Sequence, residues 1–185
     1  MHRSSLSLVL VLSLSIVISS CSGSGQMTQQ PGSSQAKEVQ KYPGWYPNQT
    51  VVNSDTAMYA YATAIAGDSA AAVEKAVAWA KSELKSKVSD KLENLRSEAL
   101  VEYGSESGLD ESRFMIALRR ADKAVGYLVE TGRTEVKTVE GYDSYRSFAE
   151  ITVPKDQLVE RIGKRLSGYE KEWNAMKDSK AFKNF

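Results

Sequence analysis

The sequence predicts an α+β fold: one domain over residues 42–175, with a small, mainly antiparallel sheet packed by a long amphipathic helix and two shorter helices. Three observations lead there. Side-chain character alternates through TAMYAYATAIAGD, the period of a strand. A single apolar stripe then recurs at steps of three and four over about thirty residues, the period of a helix. Two later β-rich runs are joined by a turn short enough to make them an antiparallel hairpin.

The domain opens on KYPGWYPNQT, where Pro43, Gly44 and Pro47 impose turns. Trp45 and Tyr46 are large and amphipathic, and are expected to plug one end of the core. The first strand spans 57–65. It sets Met58, Ala60, Ala62 and Ala64 against Tyr59, Tyr61, Thr63 and Ile65, and ends at Gly67. Asp68 or Ser69 caps the long helix, 69–102, whose stripe is Val73, Val77, Ala80, Leu84, Val88, Leu92, Leu95 and Ala99. Its alanine-rich first half, SAAAVEKAVAWA, lets the backbone lie close to a sheet, and a bend is expected near Ser86–Ser89. The polar side of this helix mixes both signs of charge, which favours core packing over membrane binding.

Tyr103-Gly104 closes that helix and GSESGLD forms a loop. Asp110 caps a second helix, 111–130, with Phe114, Ala117, Leu118, Ala121, Val125 and Leu128 inward and Arg119-Arg120 in solvent. Strands follow at 133–139 and 144–153. The latter places Tyr145, Ser147, Ala149, Ile151 and Val153 on one face. Pro154 introduces a third helix, 156–172, with Leu158, Ile162, Leu166 and Tyr169 or Trp173 inward. Residues 176–185 are expected to fray as a tail.

Ahead of the domain, residues 1–20 have a basic start at His2 and Arg3. An apolar run from Leu6 to Ile18, interrupted by serines, then gives way to small residues. That is the build of a secretory signal, too short and too serine-rich for a retained anchor helix. Ile18-Ser19-Ser20-Cys21 has the form of a lipobox. The thiolate of Cys21 is the side chain able to accept a diacylglyceryl group, and small neighbours admit the backbone to a signal peptidase. Each buried methylene adds about 0.8 kcal/mol of membrane affinity, so two or three acyl chains anchor firmly. Residues 21–41, rich in Gly, Ser and Gln, then read as the lipidated cysteine and a flexible tether of roughly 25 Å average reach. The residue after Cys21 is Ser22 and not Asp; in a typical Gram-negative bacterium, resemblance to sorted lipoproteins then implies the outer membrane.

Loss of the leader also removes chemistry. His2 is the only histidine and Cys21 the only cysteine, so the mature chain can build neither a Cys/His zinc site nor a Ser-His-Asp or Cys-His relay. The whole chain carries 24 Lys and Arg against 23 Asp and Glu, and removal of Arg3 makes the two equal. A neutral balance without a basic block argues against nucleic acid as a partner.

These features resemble the LPP20 family of bacterial lipoproteins: the lipobox at Cys21, the tether, Pro43-Gly44-Trp45, the strand around Tyr59–Ala64 and the helix start SAAAVEKAVAWAKSEL. The resemblance is best over residues 43–100, and the chain departs from it at YAYATAIAG, where family members often carry glycines. It implies an envelope-anchored α+β module without catalytic residues, some relatives being flagellum-associated. The expectation is a non-enzymatic binding or scaffolding lipoprotein of the outer membrane, its domain in the periplasm or at the cell surface. It would meet an envelope protein or a second copy of itself, with no cofactor or metal. Two alternatives come from other classes. One is an enzyme acting on envelope glycans through carboxylates such as Glu102, Glu106, Asp110 and Glu111. The other is a small-ligand binder using Trp45, Tyr46 and Tyr59.

Overall fold

The structure, a computed structural model, describes residues 42–185, and of Asn184 only the backbone. Four strands form one antiparallel sheet of order β1-β2-β4-β3: β1 (Val51–Asn53), β2 (Ala57–Ala66), β3 (Glu130–Thr138) and β4 (Tyr145–Pro154). β2 and β4 pair along their whole length, Ala57 opposite Pro154 and Ala66 opposite Tyr145. The α+β architecture expected from the sequence is the one observed. The three-residue β1 was not expected; a run so short carries no period of its own.

Because strand side chains alternate, one face of the central pair presents Met58, Ala60, Ala62, Ala64 and, from β4, Ser147, Ala149, Ile151 and Val153. The helix α1 (Ser69–Tyr103) covers this face, passing uninterrupted through Ser86–Ser89, where a bend was expected. Its N-cap is Asp68, whose carboxylate accepts from Ala71 N at 2.7 Å. From Ala80 to Ala99 the buried stripe is the expected one. In the first turns the fully buried residues are Ala72 and Ala76, with Val73 and Val77 half-buried. Ala76 meets Ala64 and Ala149 in a small cluster of its own, so the helix approaches the sheet on methyl groups.

The remaining helices differ from expectation in a consistent way: two expected helices are broken. The segment 111–130 is α2 (Ser112–Arg119), a 3₁₀ turn at Ala121–Ala124, and α3 (Val125–Leu128). In a 3₁₀ turn residues three apart eclipse, so Ala121 and Ala124 both face the core, and Gly126 weakens the helix beyond. The segment 156–172 is α4 (Lys155–Arg165) and α5 (Glu170–Asp178). They are separated at Gly168, whose φ of +90° reverses the chain and which donates its N–H to the Glu170 carboxylate.

The tail does not fray. Trp173 and Met176 are buried on α5, and a 3₁₀ turn over Lys180–Asn184 follows. Phe182 stacks on Phe185 with centroids 5.4 Å apart, and Lys91 Nζ donates to the Phe185 carbonyl at 2.8 Å while lying over its ring. The packed domain therefore extends to 185 rather than 175. Trp173, Met176, Phe182 and Phe185 bury too much apolar surface for this segment to stay in water.

Candidate functional site

Cys21, the lipid-attachment residue expected from the sequence, lies outside the described residues, with the leader and the tether. Among the described residues no helix is long and apolar enough to cross a membrane, and no group of three or more His, Cys, Asp or Glu is placed to hold a metal ion.

Trp45 and Tyr46 do not plug the end of the core. They lie across the sheet face that α1 leaves bare. Tyr46 stacks on Tyr42 and meets Tyr61 and Phe148 edge-on, with centroids 5.4–6.0 Å apart. Trp45 packs edge-on against Tyr46 and donates Nε1–H to Glu135 Oε2 at 3.1 Å. Glu135 pairs with Lys137, whose ammonium lies over the Phe148 ring. The physical reason is local: Tyr61 of β2 and Phe148 of β4 lie close together on this face, and the turn at Pro43–Tyr46 folds back to cover both. Burial, followed by a hydrogen bond to Glu150, pushes the Tyr61 hydroxyl up to about 12. Burial also raises that of Tyr46. Tyr59 lies on the same face two residues before Tyr61, opposite Val52 of β1, and is not one of the clustered rings. The aromatic trio considered for a ligand is thus only partly assembled, and its best-placed member is largely engaged by its neighbours.

The acidic residues considered for catalysis are dispersed. Glu102 accepts from Lys180 N at 3.1 Å, pinning the last turn of α1 to the segment after α5. Glu106 contributes its carbonyl, accepting from Lys171 Nζ. Glu111 lies near Gly108 beside Glu172, and all four expected carboxylates are exposed. The most buried ion pair is elsewhere. Arg96 bonds Glu93 at 2.6 Å and also donates to the Leu109 carbonyl, holding the loop after α1. That hydrogen bond keeps the Glu93 carboxyl below its ordinary value.

The feature that stands out is an edge. Tyr61 N donates to Thr50 O, so odd-numbered residues of β2 turn their backbone groups toward β1 and even-numbered ones toward β4. The pairing with β1 stops there. Beyond it the N–H and C=O groups of Thr63 and Ile65 face outward with no ladder partner among the described residues. Two hollows flank this edge. One, of about 470 Å³, lies between Asn48–Val51 and the α1 residues Glu83, Ser86, Lys87 and Asp90. The other, of about 280 Å³, lies between Thr63, Asn48–Thr50 and the rings of Tyr42 and Tyr46. One turn before Glu83, on the same side of α1, stands Trp79, 56% exposed, and Ile65 on the opposite face is 46% exposed.

Sequence reasoning missed this edge. Two signals could have found it: a tryptophan off the apolar stripe of α1, and a strand free of charge from Ala57 to Ala66. No family model, curated protein or solved structure matches the chain. The fold and the surface define a class: an antiparallel sheet with helices on one face, an aromatic strap on the other and one incompletely paired edge.

Proposed function

We propose that the chain is a lipid-anchored protein of the bacterial cell envelope, held in the outer membrane through Cys21, and that its domain works by non-enzymatic contact as a binding or scaffolding module. The observation that carries the contact reading is the uncharged stretch Ala62–Ala66, whose outward backbone groups at Thr63 and Ile65 have no ladder partner among the described residues, with the exposed side chains of Ile65 and Trp79 beside it. Anchoring is supported by the signal-like leader, by Ile18-Ser19-Ser20-Cys21 and by the resemblance to LPP20 lipoproteins. Contact with an envelope partner, including a flagellar one, is what the resemblance to LPP20 lipoproteins implies.

Metabolic labelling with an alkyne fatty acid, followed by membrane fractionation, tests the anchor. The parent chain takes up label and sediments with membranes, and Cys21→Ser does neither. An intact mass showing an unmodified sulfur or a retained leader overturns the anchor. Release of soluble fragments from peptidoglycan by the purified chain overturns the contact reading in favour of a glycan-acting enzyme.

A further inference from the structure

The two edges of the sheet are guarded unequally. β3 carries Glu130, Arg133, Glu135 and Lys137, together with Gly132 and a register shift between Thr131 and Thr134. Charge and irregularity of this kind discourage a further strand from adding. Beyond Tyr61, the stretch Ala62–Ala66 of β2 has no charge, no proline and no register shift against β4. It is short, but it is regular and ready to pair.

We infer that this edge pairs with the same edge of a second copy, the two β2 strands running antiparallel about a two-fold axis and joining the sheets of two domains. The inference rests on the contact-module reading and names the partner. Antiparallel pairing of identical strands is self-complementary, since each outward N–H and C=O of one copy meets its counterpart at the same spacing. An uncharged strand meets an uncharged strand, so the seam opposes no like charges. Ile65 on one face and Trp79 on the other flank the seam, and their symmetry mates extend an apolar cover on both sides of it.

The chain preceding the structure fits this geometry. Residues 1–41 join the domain at Tyr42, on the sheet face opposite α1. A two-fold axis perpendicular to a continuous sheet leaves both such faces on one side. Two copies held in a single membrane, as proposed above, present these faces on the same side, and confinement to the membrane raises their effective concentration.

Cysteine crosslinking of the full chain in intact cells tests the pairing, using Ile65→Cys, Thr134→Cys on the β3 edge and the parent chain with a short bifunctional maleimide. Ile65→Cys is expected to give a dimer-sized adduct at least tenfold more abundant than Thr134→Cys gives. In detergent, Ile65→Lys is expected to raise the dimer dissociation constant at least tenfold in sedimentation, with the melting temperature of the dilute, monomeric chain unchanged. No homodimer from Ile65→Cys, equal adduct from both edges, or adduct only to a different protein overturns the inference. Adduct from the parent chain has another meaning: it exposes an unmodified Cys21 and overturns the anchor instead.

Discussion

On one side of the sheet, Met58, Ala60, Ile151 and Val153 belong to a core shared with Leu84, Val88 and Leu92 of α1 and with Leu158 and Ile162 of α4. On the other side, Tyr61 and Phe148 are covered by a single strap, Tyr42 to Pro47. The first face is held by many residues distant in sequence, so removing one leaves a cavity that its neighbours cannot fill. The second is held by a handful of rings and one indole hydrogen bond, and it can open without disturbing the first. The expectation is that most of the stability resides on the helix side.

The largest expected effect tests whether the helix side carries the fold. Leu84→Ala, at a fully buried site in the middle of α1, is expected to cost about 2–5 kcal/mol in urea unfolding, with one cooperative transition. Tyr46→Ala, on the strap, should cost clearly less. Equal losses from the two variants would break the distinction between the faces.

Much of the helix side was legible in the sequence, because its signals are periodic. Alternation over Met58–Ala64 and the spacing of Ala80, Leu84, Val88, Leu92, Leu95 and Ala99 both report burial directly. What was illegible lacks a period or depends on distant partners. Gly168 breaks a helix that its flanking residues would continue, and Phe182 and Phe185 fold back only because the surface around Lys91 receives them. The strap was recognised as aromatic but assigned to the end of the core, since nothing in PGWYP says which face of the sheet it will cover. The edge at Thr63 and Ile65 was hinted at by Trp79 and the uncharged strand, but its place could not be read because the extent of β1 follows from a three-residue run.

A pH experiment sharpens the comparison, because Tyr61 is buried on the strap side. Its folded-state hydroxyl is held near 12, against an ordinary 10, by burial first and then by the bond to Glu150. The unfolded chain therefore releases this proton before the folded one does. The stabilisation is complete below about pH 10 and is lost as pH rises toward 12, on the order of 1–3 kcal/mol. Urea unfolding at intervals across that range should show the decline, and Tyr61→Phe should flatten the part it causes. A decline of the same depth in Tyr61→Phe would assign the alkaline sensitivity to other groups.

The smallest effect concerns the hinge of the strap itself. Trp45→Phe keeps a ring beside Tyr46 but removes the N–H donated to Glu135, the bond that ties the strap to β3. At a partly exposed site such a bond contributes about 0.5–1.5 kcal/mol. If the strap opens independently of the core, that loss appears only locally: the Tyr46 amide, bonded to the Pro43 carbonyl at 2.9 Å, should exchange about threefold to tenfold faster. Amides in the middle of β4, bonded to β2, should keep their rates. If they accelerate together with Tyr46, the strap and the helix-side core form one cooperative unit, and the division between the two faces is only geometric.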